Sequence, residues 1–185
     1  MYGFMHQEAF RILPALREKL RIGDPVLVGH STGASMALIH ASLPPPSAPV
    51  RGVVAIAPFA FVEESNLAAI RAARERYAET RERLARHHED VDGVFNGWND
   101  LWLDAAFRDW NIDDDLERIR CPILAILGDK DEYCTPAQLE RIADRASHAA
   151  SIETLRLPAS GHSPHRDEPG AVLDAIERFI EKLES

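Results

Sequence analysis

Two cysteines in 185 residues are too few for a disulfide framework. Cys121 opens an apolar run and Cys134 lies just past its end. If that run is a strand rising about 3.3 Å per residue, the two sulfurs lie far beyond bridging distance. Both are expected to be thiols, as suits a reducing cytoplasm, and neither has metal-ligand spacing. No apolar run approaches the ~20 residues that span a bilayer. The opening residues, Met1-Tyr2-Gly3-Phe4-Met5-His6-Gln7-Glu8, lack the basic region and apolar core of a secretory signal. A cytoplasmic protein with no membrane partner is expected. Excess positive charge is also missing. The net charge of −9 argues against nucleic acid, whose phosphates need a clustered basic face. Internal repeats are absent. What remains is ordinary for a globular chain: 45% apolar and 28% charged residues, enough for one domain with a core.

Short apolar runs alternate with helical periodicity. Phe10, Leu13, Leu16 and Leu20 predict a helix over 5–20, with Pro14 as a kink or a new start. Gly23-Asp24-Pro25 is a turn. Val26-Leu27-Val28 is a short strand ending at Gly29. A helix follows over 34–42 and is closed by Pro44-Pro45-Pro46. Val53 to Ala57, Ile123 to Leu127 and Ile152 to Leu157 are further strands. Glu153 and Arg156 mark the last of these as an edge strand. The final helix starts near Pro169 and buries Val172, Leu173, Ile176, Phe179, Ile180 and Leu183. Runs apolar on both faces, alternating with helices, predict an α/β fold with a mostly parallel sheet of about four strands. Residues 63–118 break this rhythm. They contain no strand pattern, carry charged helical stretches from Arg71 to His88, and hold all three tryptophans. This segment is expected to be a helical cap inserted into a core formed by 1–62 and 119–185. Its aromatics either form a small core of their own or, as with Trp98 and Trp102, face a pocket.

Gly29-His30-Ser31-Thr32-Gly33 matches G-x-S-x-G between a predicted strand and a predicted helix, the context that a nucleophile elbow demands. The turn is sharp, and both flanking glycines are expected where a Cβ would clash. The N–H of Thr32, at the start of the helix, can face developing negative charge. A serine of this kind needs a base and an acid, expected in the chain order serine, acid, histidine. After the third strand, Gly128-Asp129-Lys130-Asp131-Glu132 offers Asp129, Asp131 and Glu132. Asp129 follows the turn glycine directly and reads as a solvated turn residue. After the fourth strand, Ser160-Gly161-His162-Ser163-Pro164-His165 offers two histidines. His162 lies nearer the strand end and is preferred as the base. His165 is expected to support the loop or line the pocket, His30 to pack locally or line the pocket beside the triad, and His40 to pack locally. His87-His88 does not make a metal site, because adjacent helical residues do not face one way.

With these three segments the chain resembles the α/β-hydrolase superfamily, in its lidded, esterase-like branch, over essentially its whole length. The resemblance implies a Ser31–His162–Asp131 triad, because the family's acid sits three residues after the strand-ending glycine. It implies a serine hydrolase acting on a small ester or a related acyl or C–C substrate, with no cofactor and no metal. It also implies four earlier strands and a His-Gly loop that supplies the second oxyanion donor. Only about 25 residues precede Val26, and they read as one helix. The strand at Val26 is therefore expected to be an exposed edge. The chain would then be a fragment, a homodimer that covers this edge, or a relative that binds ligands with little or no turnover.

Overall fold

The computed structural model describes residues 3–44 and 49–184. Met1 and Tyr2, and Pro45 and Pro46 of the helix-ending run, lie outside the described residues. The chain divides into two compact units, residues 1–60 with 112–185, and residues 61–111.

The first unit is built on four parallel strands in the order β1 (Val26–His30), β2 (Gly52–Ile56), β3 (Ile123–Gly128) and β4 (Ile152–Leu157). β2 and β3 are buried at every position, which is why their sequences read as continuous apolar runs. On one face Val54, Ile56, Leu124, Ile126 and Leu157 meet Val172, Ala175 and Phe179 of the final helix, Pro169–Glu184. Leu173, expected in that stripe, is 58% exposed, and Ala175 takes the buried position. On the other face the helix Thr32–Ala41 packs against β1 and β2. β4 is an edge strand guarded by charge: Glu153 pairs with Lys182 and Arg156 with Asp129. β1 has no strand beside it on its outer side among the described residues, and Val28 is 56% exposed.

The amino-terminal helix is interrupted, as Pro14 requires. An α-turn at Phe4–Gln7 widens into a π-helical segment at Glu8–Ile12, and α-geometry resumes at Leu13–Leu20. Proline has no N–H for the ladder, and its ring needs room where the carbonyl four residues earlier would sit. Two buried polar clusters fasten this region. In the first, His40 Nδ1–H donates to the Ala9 carbonyl at 2.7 Å, and its Nε2 accepts from Arg17 at 2.8 Å. Arg17 also donates to the carbonyls of Gly23 and Pro49. In the second, His6 donates to Asp115 at 2.8 Å, and Asp115 also accepts from Ser42 and Arg118. Asp115 lies in the short helix Asp113–Arg118, whose Leu116 is fully buried. These contacts place residues 112–118 with the sheet unit, although the sequence pattern groups them with the insertion.

His40 can accept from Arg17 only while neutral, and burial, followed by the nearby Arg17 cation, lowers its pKa below 6.5. His30 is lowered as well, chiefly by burial. The unfolded chain therefore takes up these protons first as the pH falls below 6.5. Stability is fully present above that value and declines on acidification, by at most about 1.4 kcal/mol per pH unit for each group, until the folded pKa is passed. Thermal melts should show a lower Tm at pH 5.5 than at pH 7.5, and His40→Gln should flatten the difference. Equal melting temperatures at the two pH values would contradict this.

The second unit is helical: Glu64–Glu75, Tyr77–Leu84 and Val91–Leu103, with one isolated bridge between Phe61 and Asn111. Trp102 is 1% exposed, edge-on to Phe107 and Trp110, and Trp98 is half-buried against Phe95. Among the described residues, no helix is long and apolar enough to cross a membrane. No disulfide joins Cys121 and Cys134.

Candidate active site

β1 ends at His30, and the chain reverses at Ser31 into the helix Thr32–Ala41. Ser31 holds φ 56° and ψ −127°, a conformation that costs a non-glycine residue on the order of 1–3 kcal/mol. Its surroundings hold it there. The Ser31 N–H donates to the Ile56 carbonyl at 2.8 Å, and the Ser31 carbonyl accepts from the N–H groups of Ala34 and Ser35. Gly29 makes the reversal possible, because a Cβ there would lie 2.3 Å from the Gly33 carbonyl oxygen. Gly33 does not repeat this role. A Cβ at Gly33 meets nothing within 4 Å, and its φ is not positive. The expectation that both glycines answer a steric demand is corrected here to Gly29 alone. Gly33 already lies in the helix, where a Cβ points outward.

The carboxylate comes from the loop after β3. Asp131 Oδ1 accepts from the N–H groups of Tyr133 at 2.8 Å and Cys134 at 3.0 Å, an Asx-type turn that locks the side chain. The Asp131 side chain is 0% exposed. Glu132 is exposed, and Asp129 turns outward to Arg156 at 2.7 Å. The loop after β4 brings in the histidine. Ser160 donates to Glu168, the Gly161 N–H donates to Asp167, and the Lys130 N–H donates to the Ser160 carbonyl. The two loops touch at Gly128, where a Cβ would lie 2.3 Å from the Ser160 and Gly161 carbonyl oxygens.

The three side chains meet in one line. His162 Nδ1 lies 2.8 and 3.0 Å from the Asp131 carboxylate oxygens, and Nε2 lies 2.8 Å from Ser31 Oγ. An ionised carboxylate only accepts, so Nδ1 carries the proton and Nε2 accepts from the serine hydroxyl. Phe59 and Tyr133 flank the imidazole, with ring centroids 6.0 and 4.7 Å from it. Thr32 begins its helix, so its N–H has no intrahelical acceptor. Such an arrangement can move a proton from the serine to the imidazole while the carboxylate balances the new charge.

Of the other expected site residues, His30 and His165 lie beside the triad. Their rings are 4.7 Å apart, and His30 is 5.1 Å from His162. Together with Val28, Ile56, Val172 and Leu173 they line an open apolar hollow along β1. Trp98 and Trp102 pack among the aromatics of the 61–111 unit. Trp102 is enclosed there and has no surface left to line a pocket. The backbone donors to Asp131 and the contact between His30 and the His162 carbonyl, at 2.7 Å, have no motif that announces them. One donor set of metal-binding type occurs among the described residues. Asp131, Cys134 and His162 each bring one ligand atom, all within 4.8 Å of one another. These atoms already have roles: the carboxylate and imidazole bond each other, and Cys134 Sγ faces the Ala57 and Pro58 carbonyls.

Residues 3–175 match the model of the Alpha/beta hydrolase family. No curated protein sequence matches the chain. Several solved structures share the fold. A non-heme bromoperoxidase candidate of Mycobacterium tuberculosis is 22% identical, with a TM-score of 0.71 over 100% of this chain and 77% of the other. A thermophilic esterase from Thermogutta terrifontis is 21% identical, with a TM-score of 0.65 over 98% and 73%. An E-2-(acetamidomethylene)succinate hydrolase is 20% identical, with a TM-score of 0.69 over 97% and 75%.

Proposed function

Because the chain belongs to the alpha/beta hydrolase family, we propose that it is a serine hydrolase, with Ser31 as nucleophile, His162 as base and Asp131 as the acid that orients it. The substrate class is a small ester or a related acyl or C–C compound. One observation carries this reading: the unbroken hydrogen-bond line from Ser31 Oγ through His162 to the buried Asp131, at 2.8 Å on both sides.

The chemistry follows from the geometry. His162 Nε2 takes the Ser31 proton as Oγ attacks a carbonyl carbon. Asp131 steadies the imidazolium without taking its proton. The oxyanion meets the Thr32 N–H at the amino end of its helix, where the free N–H groups and the dipole both favour negative charge. As the tetrahedral adduct collapses, the imidazolium protonates the leaving group and an acyl-enzyme forms on Ser31. His162 then draws a proton from water, which attacks and frees the acid.

A fluorophosphonate probe tests the reading, since it reacts with an activated serine and mimics the tetrahedral adduct. The folded wild-type chain should be labelled on Ser31, with labelling lost in Ser31→Ala and His162→Ala. A folded wild-type protein that stays unlabelled would overturn the proposal and favour a ligand-binding protein without turnover.

A further inference from the structure

We propose that His30 is a positioning residue: its Nε2–H clamps the backbone carbonyl of His162 and so sets where the catalytic imidazole stands relative to Ser31. The inference rests on the serine-hydrolase reading above and extends it.

His30 and Ser31 are adjacent in sequence, on opposite sides of the turn where β1 ends. Ser31 points its Oγ at the imidazole of His162, and His30 points its Nε2 at the carbonyl of the same residue, 2.7 Å away. A carbonyl can only accept, so His30 donates. The loop that carries His162 is thus gripped at two points by neighbouring residues of one turn, 132 and 131 positions away in the chain. Without the His30 contact, the loop's remaining bonds run to its own following helix and to the loop of Asp131. Apart from the Ser31–His162 bond itself, none of these ties it to the serine side.

The His30 side chain is itself held. Its ring packs against those of His162 and His165, at 5.1 and 4.7 Å. Burial favours the neutral ring, which keeps one N–H for the carbonyl and adds no second cation beside His162 when that residue is protonated. His162, His165 and Asp131 are the titratable groups that face it. Proton transfer between Ser31 and His162 depends steeply on their separation. A displacement of the order of 1 Å can cost about 10²-fold in rate.

Two variants of similar length separate the donor from the bulk. The amide of His30→Gln can still donate to the carbonyl, whereas His30→Met fills the space without a donor. The rate of Ser31 labelling by the fluorophosphonate is expected to fall by about 10- to 100-fold in His30→Met and to stay within a few-fold of wild type in His30→Gln. With an ester that the wild type turns over, the loss should appear in kcat and leave KM unchanged. A second readout does not depend on turnover. The NMR resonance of the His162 Nδ1–H bonded to Asp131 should broaden or shift in His30→Met and return in His30→Gln. Wild-type labelling with an equal rate and an unchanged resonance in His30→Met would overturn the positioning role and leave the hydrolase reading intact. Absence of labelling in the wild type would overturn the hydrolase reading instead, and a resonance that still depends on the residue at 30 would retain the clamp as a structural fact.

Discussion

Asp131→Asn should slow acylation of Ser31 by about 10⁴-fold while the fold remains intact. The direction follows from which oxygen does what. Asp131 Oδ1 is pinned by the N–H groups of Tyr133 and Cys134, so the carbonyl oxygen of an asparagine must occupy that site. Its amide NH2 then takes the place of Oδ2 and faces His162 Nδ1, now 2.8 Å from an acceptor. The nearer contact then sets donor against donor, and the oxygen at 3.0 Å is already shared with two backbone N–H groups, so the neutral imidazole favours its proton on Nε2. That nitrogen then points a hydrogen at Ser31 Oγ and can no longer accept one. The variant keeps its shape and loses its base. Asp129→Asn and Glu132→Gln are the controls, since Asp129 is bonded to Arg156 and Glu132 is exposed. Labelling rates and circular dichroism of the three variants decide the matter. An Asp131→Asn protein that is labelled at the wild-type rate would remove Asp131 from the proposed mechanism.

The same loop shows how far residues alone can lead. Three carboxylates follow β3 within four positions, and residue types alone do not choose among them; only the family resemblance singles out Asp131. The choice lies in where side chains point. Asp131 bends onto the N–H groups two and three residues on, which buries it behind His162, whereas Asp129 faces out to Arg156. Ser31 is legible because a strand, a glycine and a helix must meet within five residues, and few sequences satisfy all three demands. The strands were legible because covered parallel strands are apolar at every position. The role of His30 was not. Its acceptor is a backbone carbonyl more than a hundred residues away, and every residue has a carbonyl. Trp102 is ambiguous in the sequence for a related reason. An aromatic-rich helix looks the same whether its rings close on one another or line a pocket. Leu173 fits the periodicity of the final helix, yet it stays exposed on the open hollow along the unpaired β1.

The two glycines of the elbow should respond to alanine with opposite signs. In Gly29→Ala the new methyl would lie 2.3 Å from the Gly33 oxygen, 2.6 Å from its carbonyl carbon and 2.7 Å from Ala34 Cα. All three are backbone atoms in the first turn of a helix, so no side chain can rotate away. Relief requires the helix to move off β1, which breaks the geometry that holds Ser31 at positive φ. A loss of about 3 kcal/mol or more is expected, at the upper end of overpacking effects, with a fall in Tm of roughly 6–12 °C. Gly33 faces open space and already has helical backbone. Alanine there costs no contact and narrows the unfolded ensemble, so Gly33→Ala should gain about 0.5–1 kcal/mol. Denaturant unfolding of both variants, with labelling of Ser31 as the second readout, tests the contrast. Comparable destabilisation by both would mean that Gly33 also serves the turn. Stabilisation by Gly33→Ala with labelling retained would assign the elbow's steric demand to Gly29 alone.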